Sequence, residues 1–491
     1  MKKITLINFI LCTFLLLGFT TNLSAQLENA NWYFGNQAGI NFNDGTAPSS
    51  LLTDGAMNAP AGCSAISDET GNLLFYTDGE TVWNKDHVPM LNGNLIGDSS
   101  VSQSVVIAPS PGDANKYYIF SNSAENAVNP GLRYSIVDMT GDFGLGAVDA
   151  VEKDQLLLTS CSEKMTTVIN PFANEYWVVV FGRPSVPSNP GEDVYNSFYS
   201  FRVTETGGVH MPFESNFTPP PPAVDPNNPG PGEFDRNNPI HLAKFAISIP
   251  YQKTEYSYAP YEGGQMKISS DHNSLALVHN VNDRGESAQS VYTFSFSPIS
   301  GEVSSIEAHY LNFLFNFENT YYYGLEFSPD SQQIFVSAFE KGQNGFGSIV
   351  RIRNFAQGET PSFNIVSVPV DRDPVFSLQL GIDNKIYATR GDFSFLDVIT
   401  NPNETDDLLL GYSYGGNPGE GFDLGSKIAS QGLPQLTPEL FNSKSDAQKA
   451  AKPIVKENPF NNELKLKFKY IQTYSIEYYD AMSNLIYTEE Y

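Results

Sequence analysis

Ser413 stands in Gly411-Tyr412-Ser413-Tyr414-Gly415, a G-x-S-x-G string directly behind the apolar run Leu408-Leu409-Leu410. In a nucleophile elbow such a serine sits on a sharp strand-to-helix turn, and its acid and histidine follow it along the chain. Here Gly416-Asn417-Pro418-Gly419 comes next and cannot start a regular helix, and the last histidine, His309, lies upstream. The string reads as a glycine-rich connection rather than as a hydrolase nucleophile, and no catalytic residue is assigned. The six histidines are His87, His210, His241, His272, His279 and His309. None belongs to an H-E-x-x-H motif or to a pair with zinc-ligand spacing, so surface or hydrogen-bonded roles are expected. His272 falls in a hairpin turn and His279 near a strand end.

Acidic turns raise calcium as a candidate: Asp68-Glu69, Asp78-Gly79-Glu80, Asp271, Asp330, Asp383 and the stretch from Asp225 to Asp235. Calcium takes six to eight converging oxygens, and the EF-hand spacing is absent. Asp, Asn and Gly also dominate turns because they bond locally and tolerate left-handed backbone. Each acidic turn is therefore read first as a turn. No cofactor or metal ligand is assigned, and one structural calcium ion stays open as an alternative. Trp83, Trp177 and Tyr321-Tyr322-Tyr323 could stack on sugar rings, but aromatic rings inside strands are expected to pack between sheets. In the tyrosine run alternate rings point to opposite faces, so one or two reach a surface.

The elements that carry these residues repeat. An apolar or alternating strand meets a turn of Asp, Gly, Asn, Ser or Pro, and a second strand rich in Tyr, Phe, Ile and Val follows. The phrase begins at Ala65 (AISDETGNLLFYTDG), Val105, Thr166, Met266, Leu325 and Leu378. Six copies define a repeat architecture. No long stretch has helical apolar periodicity, and 34 Phe with 26 Tyr suit the half-buried face of a sheet. The copies lie about 40–60 residues apart, except the third and fourth, which matches four-stranded propeller blades with loops. Asn31 to Asn43 (NWYFGNQAGINFN) and Lys427 to Leu436 (KIASQGLPQL) are unaccompanied strand fragments at the two ends of this region. Together they supply one composite blade, so the expected fold is an all-β, seven-bladed β-propeller over residues 26–440, with six blades as the alternative. Residues 206–262 form an insertion containing FTPPPPAVDPNNPGPGEFDRNNP from Phe217, whose four prolines exclude a central strand. It is either a tolerated loop or a recognition loop for a partner. Residues 441–452 read as a polar linker. Residues 453–491 alternate around Asn461-Asn462 and Ser483-Asn484 and form a small β-sandwich-like module.

Composition and the N-terminus set destination. The formal charge is −27, and a surface that acidic repels phosphate backbones, so nucleic acid is excluded as a partner. Lys2 and Lys3, an apolar core from Ile7 to Phe19 and Leu23-Ser24-Ala25 read as a secretory signal peptide over residues 1–25. The apolar run is shorter than the ~20 residues a spanning helix needs, so no transmembrane anchor is expected after its removal. Cys63 and Cys161 then remain for an oxidising compartment; they either form a disulfide or serve as small buried residues, and spacing alone leaves both open.

Two stretches resemble known families. NWYFGNQAGINFN at Asn31, GCSAISDETGNLLFYTDGETVWNKDH at Gly62, GLRYSIVDM at Gly131 and SQGLP at Ser430 resemble the β-propeller region of large secreted Bacteroidetes proteins. This resemblance implies fold and export more than activity. ENPFNNELKLKF at Glu457 and YSIEYYDAMSNLIY at Tyr474 resemble the C-terminal sorting domain of the type IX secretion system. Glu457 stands where that family usually has Pro, Ser483 where it usually has Gly, and the later Gly-x-Tyr phrase and basic end are missing before Tyr491. The sequence is then a fragment, or its sorting signal is degenerate. The resemblance implies a secreted, extracellular or outer-membrane surface protein that engages the type IX machinery, or a periplasmic one if the shortened module does not work. The expected role is a non-enzymatic scaffold binding a protein or glycan. The rival is a lyase or hydrolase acting on polysaccharide or peptide at a central channel, where residues from several blades would converge without any local motif.

Overall fold

In the computed structural model, the described residues are 27–42, 49–216 and 263–436, each of the longer stretches with short breaks, and four strands between 454 and 490. Among them the only helical pieces are two three-residue turns, Leu27–Asn29 and Asp142–Gly144. No helix among them is long and apolar enough to cross a membrane.

Each of the six recurring phrases folds as an antiparallel hairpin. Cys63–Ser67 pairs with Leu73–Thr77, Val105–Ser110 with Asp113–Ser123, and Cys161–Ile169 with Glu175–Gly182. Met266–Ile268 pairs with Ser274–Asp283, Thr320–Phe327 with Gln333–Glu340, and Leu378–Leu380 with Ile386–Ala388. Four of the six turns share one geometry. Gly71 N–H donates to Asp68 O, His272 to Ser269 O, Ser331 to Ser328 O and Asn384 to Gly381 O, at 2.8–3.0 Å. The fourth residue of each is left-handed, with φ of 86°, 63°, 63° and 60°. Outer strands then extend each hairpin into a meander. The result is five sheets of four or more strands, one of them ten-stranded, and a three-stranded sheet of Asn31–Phe34, Ala38–Asn41 and Ser50–Leu52. In the third meander pairing continues through Phe213–Asn216, inside the stretch read from sequence as insertion. The remainder of that insertion, residues 217–262, the signal segment and the linker lie outside the described residues.

Burial explains why the meanders stack. A strand with both faces covered is largely apolar, and Glu175–Gly182, with Glu175 its one charged residue, is buried at every position. The apolar clusters each join consecutive meanders. Val105 and Ile107 meet Phe75, and Val106 and Phe120 meet Val178 and Val180. Val179 and Phe198 meet Leu275, Val278 meets Leu325, and Phe335 meets Leu378. The last cluster returns to the start: Tyr387 and Leu396 pack with Trp32, Phe34 and Phe42, which also pack with Cys63 and Tyr76. A chain of contacts that closes on itself is a ring, and the architecture is propeller-like.

A short C-terminal strap locks this ring. Asn36 N donates to Ile428 O (2.8 Å), Gln431 N to Pro60 O (3.0 Å) and Ser377 N to Gln431 O (3.2 Å). Pro434 and Gln435 then run parallel to Cys63 and Ser64. The two end fragments expected to complete the ring thus meet directly, through the Asn36–Ile428 bridge. Further on, Ile454–Val455 pairs with Leu466–Lys467 and Ser475–Tyr479 with Leu485–Glu490. Cys63 and Cys161 are buried thiols not bridged to one another, which settles the disulfide alternative against a bond.

Gly432 sits where the strap crosses the first meander, and a Cβ there would lie 1.6 Å from Ala61 O. Backbone cannot yield as a flexible side chain can. Gly432→Ala is therefore expected to lower stability by about 1–3 kcal/mol, read as a lower urea midpoint; an unchanged midpoint would show that the strap does not bear on ring closure.

Candidate functional site

Apart from Cys63–Ser67 with its Pro434–Gln435 partner, the innermost strand of each described meander has no strand beyond it, so its inner N–H and C=O groups face the centre of the ring. An open channel would leave them to water. Here side chains take them. Gln103 Oε1 accepts from Met266 N (2.8 Å) and Met165 N (3.3 Å), while its Nε2 donates to Met266 O (3.0 Å) and Gln435 Oε1 (2.9 Å). Gln265 Oε1 accepts from Leu325 N (3.0 Å) and Leu378 N (3.1 Å). Only a position at the centre reaches so many inner strands, so these two amides mark the axis. Both are fully buried.

Two further polar groups adjoin this pair. Towards the strand ends, Lys267 Nζ lies 3.3 Å from Glu326 Oε2 and donates to Gln379 Oε1. Glu326 Oε2 also accepts from Leu380 N (3.0 Å). Burial pulls the Lys267 ammonium below its ordinary pKa, opposed by the Glu326 charge. Towards the strand starts, Glu163 Oε2 accepts from Ser102 N (2.9 Å) and Ser102 Oγ (2.7 Å), and Gly264 N donates to Ser102 Oγ (2.9 Å). The described axis is filled by side chains already committed to one another and to backbone. Binding a substrate there would require displacing them.

The residues singled out from sequence fall elsewhere. Ser413 Oγ accepts a hydrogen bond from Gly421 N at 2.7 Å. Its neighbours hold a buried ion pair: Asp397 accepts from Arg390 Nε (2.7 Å), Tyr412 Oη (2.6 Å) and Gly415 N (3.0 Å), and Tyr414 lies under the guanidinium at 4.8 Å. The G-x-S-x-G string is therefore a clamp around Arg390. The acidic turns are turns. Asp68 Oδ1 accepts from Thr70 N and Asn72 N, Asp78 Oδ1 from Glu80 N and Thr81 N. Asp271, Asp330 and Asp383 likewise accept from Asn273 N, Gln332 N and Lys385 N. The Asp225–Asp235 stretch lies outside the described residues, as does His241. Among the described residues no three His, Cys, Asp or Glu side chains gather as metal ligands. Trp177 is buried and donates to Pro298 O at 2.9 Å; Tyr322 and Tyr323 are buried, and Tyr321 is partly exposed.

One cluster joins residues that the sequence reading did not connect. Tyr76 is stacked between Tyr33 (4.6 Å between centroids) and Trp83 (5.5 Å). His87 Nδ1 lies 3.1 Å from Tyr76 Oη, and its Nε2 lies 3.3 Å from Asp54 Oδ2. Tyr33 Oη donates to Asp54 Oδ1 at 3.0 Å. Tyr76 Oη also accepts from Ala56 N at 2.9 Å. Burial first, then the Asp54 charge, raises the Tyr33 hydroxyl; burial pushes Tyr76 up to about 12. Both tyrosines are proton donors at neutral pH.

The fold and its centre define a propeller-like protein with a filled axis. No protein-family model matches the sequence, and no curated protein does. Solved structures with partial similarity include a Lactobacillus plantarum protein at 8% identity and a TM-score of 0.45, covering 83% of this chain and 99% of that one. The periplasmic gluconolactonase of Pseudomonas aeruginosa is 12% identical, with a TM-score of 0.35 over 77% of this chain and 83% of that one. The virginiamycin B lyase of Staphylococcus aureus is 12% identical, with a TM-score of 0.32 over 70% and 82%.

Two outcomes follow from this geometry. Gln265→Leu would strand two buried N–H groups, each costing about 1–3 kcal/mol; a loss of about 2–6 kcal/mol in urea unfolding is expected, and a near-neutral effect would mean that water already serves those groups. His309 is buried, and burial lowers its pKa from 6.5 to about 4. The unfolded chain protonates this group below pH 6.5 and the folded one only near 4. Stability from His309 is thus intact above pH 6.5 and lost as pH falls towards 4, by about 3 kcal/mol. His309→Gln should remove that part of the slope in pH-dependent unfolding.

Proposed function

We propose that this chain is an exported scaffold that binds a protein or a glycan on its loop-lined surface and catalyses no reaction at its axis. The carrying observation is the pair of buried glutamines, Gln103 and Gln265, each accepting two inner-strand amides where a channel site would need open space. Polar groups so satisfied hold a structure in one arrangement, and a scaffold requires that. In this reading the ring has seven blades. The ten-stranded sheet counts as two, because it contains two complete meanders joined through the outer Leu91–Ala147 pairing. The three-stranded sheet with the strap is the composite one.

Export rests on the signal-like residues 1–25. Passage to the cell surface rests on the resemblance of residues 453–491 to a type IX sorting module. The formal charge of −27 fits a soluble, mutually repelling surface protein.

The test offers the mature protein a panel of polysaccharides, peptides and esters, alongside a glycan and protein pull-down from its native surroundings. Specific capture without turnover is expected. Turnover abolished by Lys267→Met or Glu326→Gln would contradict the scaffold reading and place chemistry at the axis.

A further inference from the structure

We infer that Trp83, His87 and Asp54 form a binding site for a neutral, pyranose-containing glycan, with Trp83 as its apolar floor. The inference rests on the binding reading above and names the ligand class and place. Three observations carry it. Of the three tryptophans, Trp32 and Trp177 are buried, at 1% and 5% exposure, whereas Trp83 is partly exposed and held by stacking on Tyr76 at 12° between planes. A ring fixed on one side and reaching solvent is a platform for the C–H face of a sugar.

Asp54 supplies the polar edge. Its side chain is 56% exposed, yet both oxygens are oriented from below, by Tyr33 Oη and by His87 Nε2. A carboxylate offers about four acceptor positions, and two are used. The remainder suit the paired hydroxyl donors of a pyranose, and a carboxylate–hydroxyl bond is charge-assisted. The site is acidic and belongs to an acidic chain, so acidic glycans are disfavoured and a neutral one is selected.

His87 is the third observation. Its N–H bonds Asn84 O (3.0 Å) and its φ is 61°, the left-handed fourth turn position that His272, Ser331 and Asn384 fill elsewhere. From that turn its ring reaches both Asp54 and Tyr76 and so joins the carboxylate to the aromatic stack.

The experiment titrates the mature protein with cellohexaose, xylohexaose, laminarihexaose and mannohexaose by calorimetry, comparing wild type, Trp83→Ala and Asp54→Asn, with thermal melting as the folding control. Trp83 fluorescence gives a second readout, since acrylamide reaches it before the two buried tryptophans. At least one oligosaccharide should bind, each substitution should weaken it tenfold or more, and saturating ligand should protect the exposed tryptophan from acrylamide. Should a variant melt early, the acrylamide protection in wild type decides. Binding that both substitutions leave unchanged, with no protection of Trp83, overturns the site while glycan binding stands. No binding to any of the four overturns the inference and leaves a protein ligand for the scaffold.

Discussion

The inner edges of the sheets govern this molecule. Among the described meanders all but the first end, at the centre, in a strand whose backbone donors and acceptors have no further strand to meet. Unpaired buried backbone groups cost as much as lost hydrogen bonds, so the centre must be wet or filled with polar atoms. This chain fills it. Gln103 and Gln265 act as surrogate strands, each presenting one carbonyl oxygen to amides of two different meanders. The amide side chain suits this task because it is neutral and both donates and accepts. The Lys267–Glu326 pair does similar work at one end, where Glu326 also caps Leu380 N.

The same constraint explains the strap. The ring is made of sheets packed face to face, and its apolar clusters run from Trp32 round to Tyr387 and back. Sheet packing alone leaves the inner edge of Cys63–Ser67 open. Pro434 and Gln435 cover it, Ser64 Oγ fixes Gln435 O at 2.9 Å, and the Gln435 side chain meets Gln103. One segment from the end of the ring thus closes the seam and completes the axial network.

Much of the architecture was legible because it is local. Asp68, Ser269, Ser328 and Gly381 each open a tight turn between strands of alternating or fully apolar residues, and both signals survive in a single sequence. The meeting of Asn36 with Ile428 was legible as a need, since a repeat array with unmatched ends invites closure. The axis was not. Gln103 and Gln265 are polar residues just ahead of strands, and their partners lie as many as 332 positions away. The available signal was the recurrence of glutamine at that point in two repeats, Gln103-Ser104-Val105 and Gln265-Met266. Tyr33, Asp54, Tyr76 and His87 were likewise separate, because only packing of the three-stranded sheet on the first meander unites them. The G-x-S-x-G string shows the reverse: a local pattern with catalytic spacing whose tyrosines and glycine hold Arg390 and Asp397.

Hydrogen exchange at the axis tests the central claim most directly. If glutamines replace water there, the amide protons of Met266, Leu325 and Leu378 exchange only through global unfolding, and their protection equals the stability of the whole ring. Exchange of these amides on the timescale of exposed loop residues, in an otherwise folded protein, would show a water-filled channel and contradict the account.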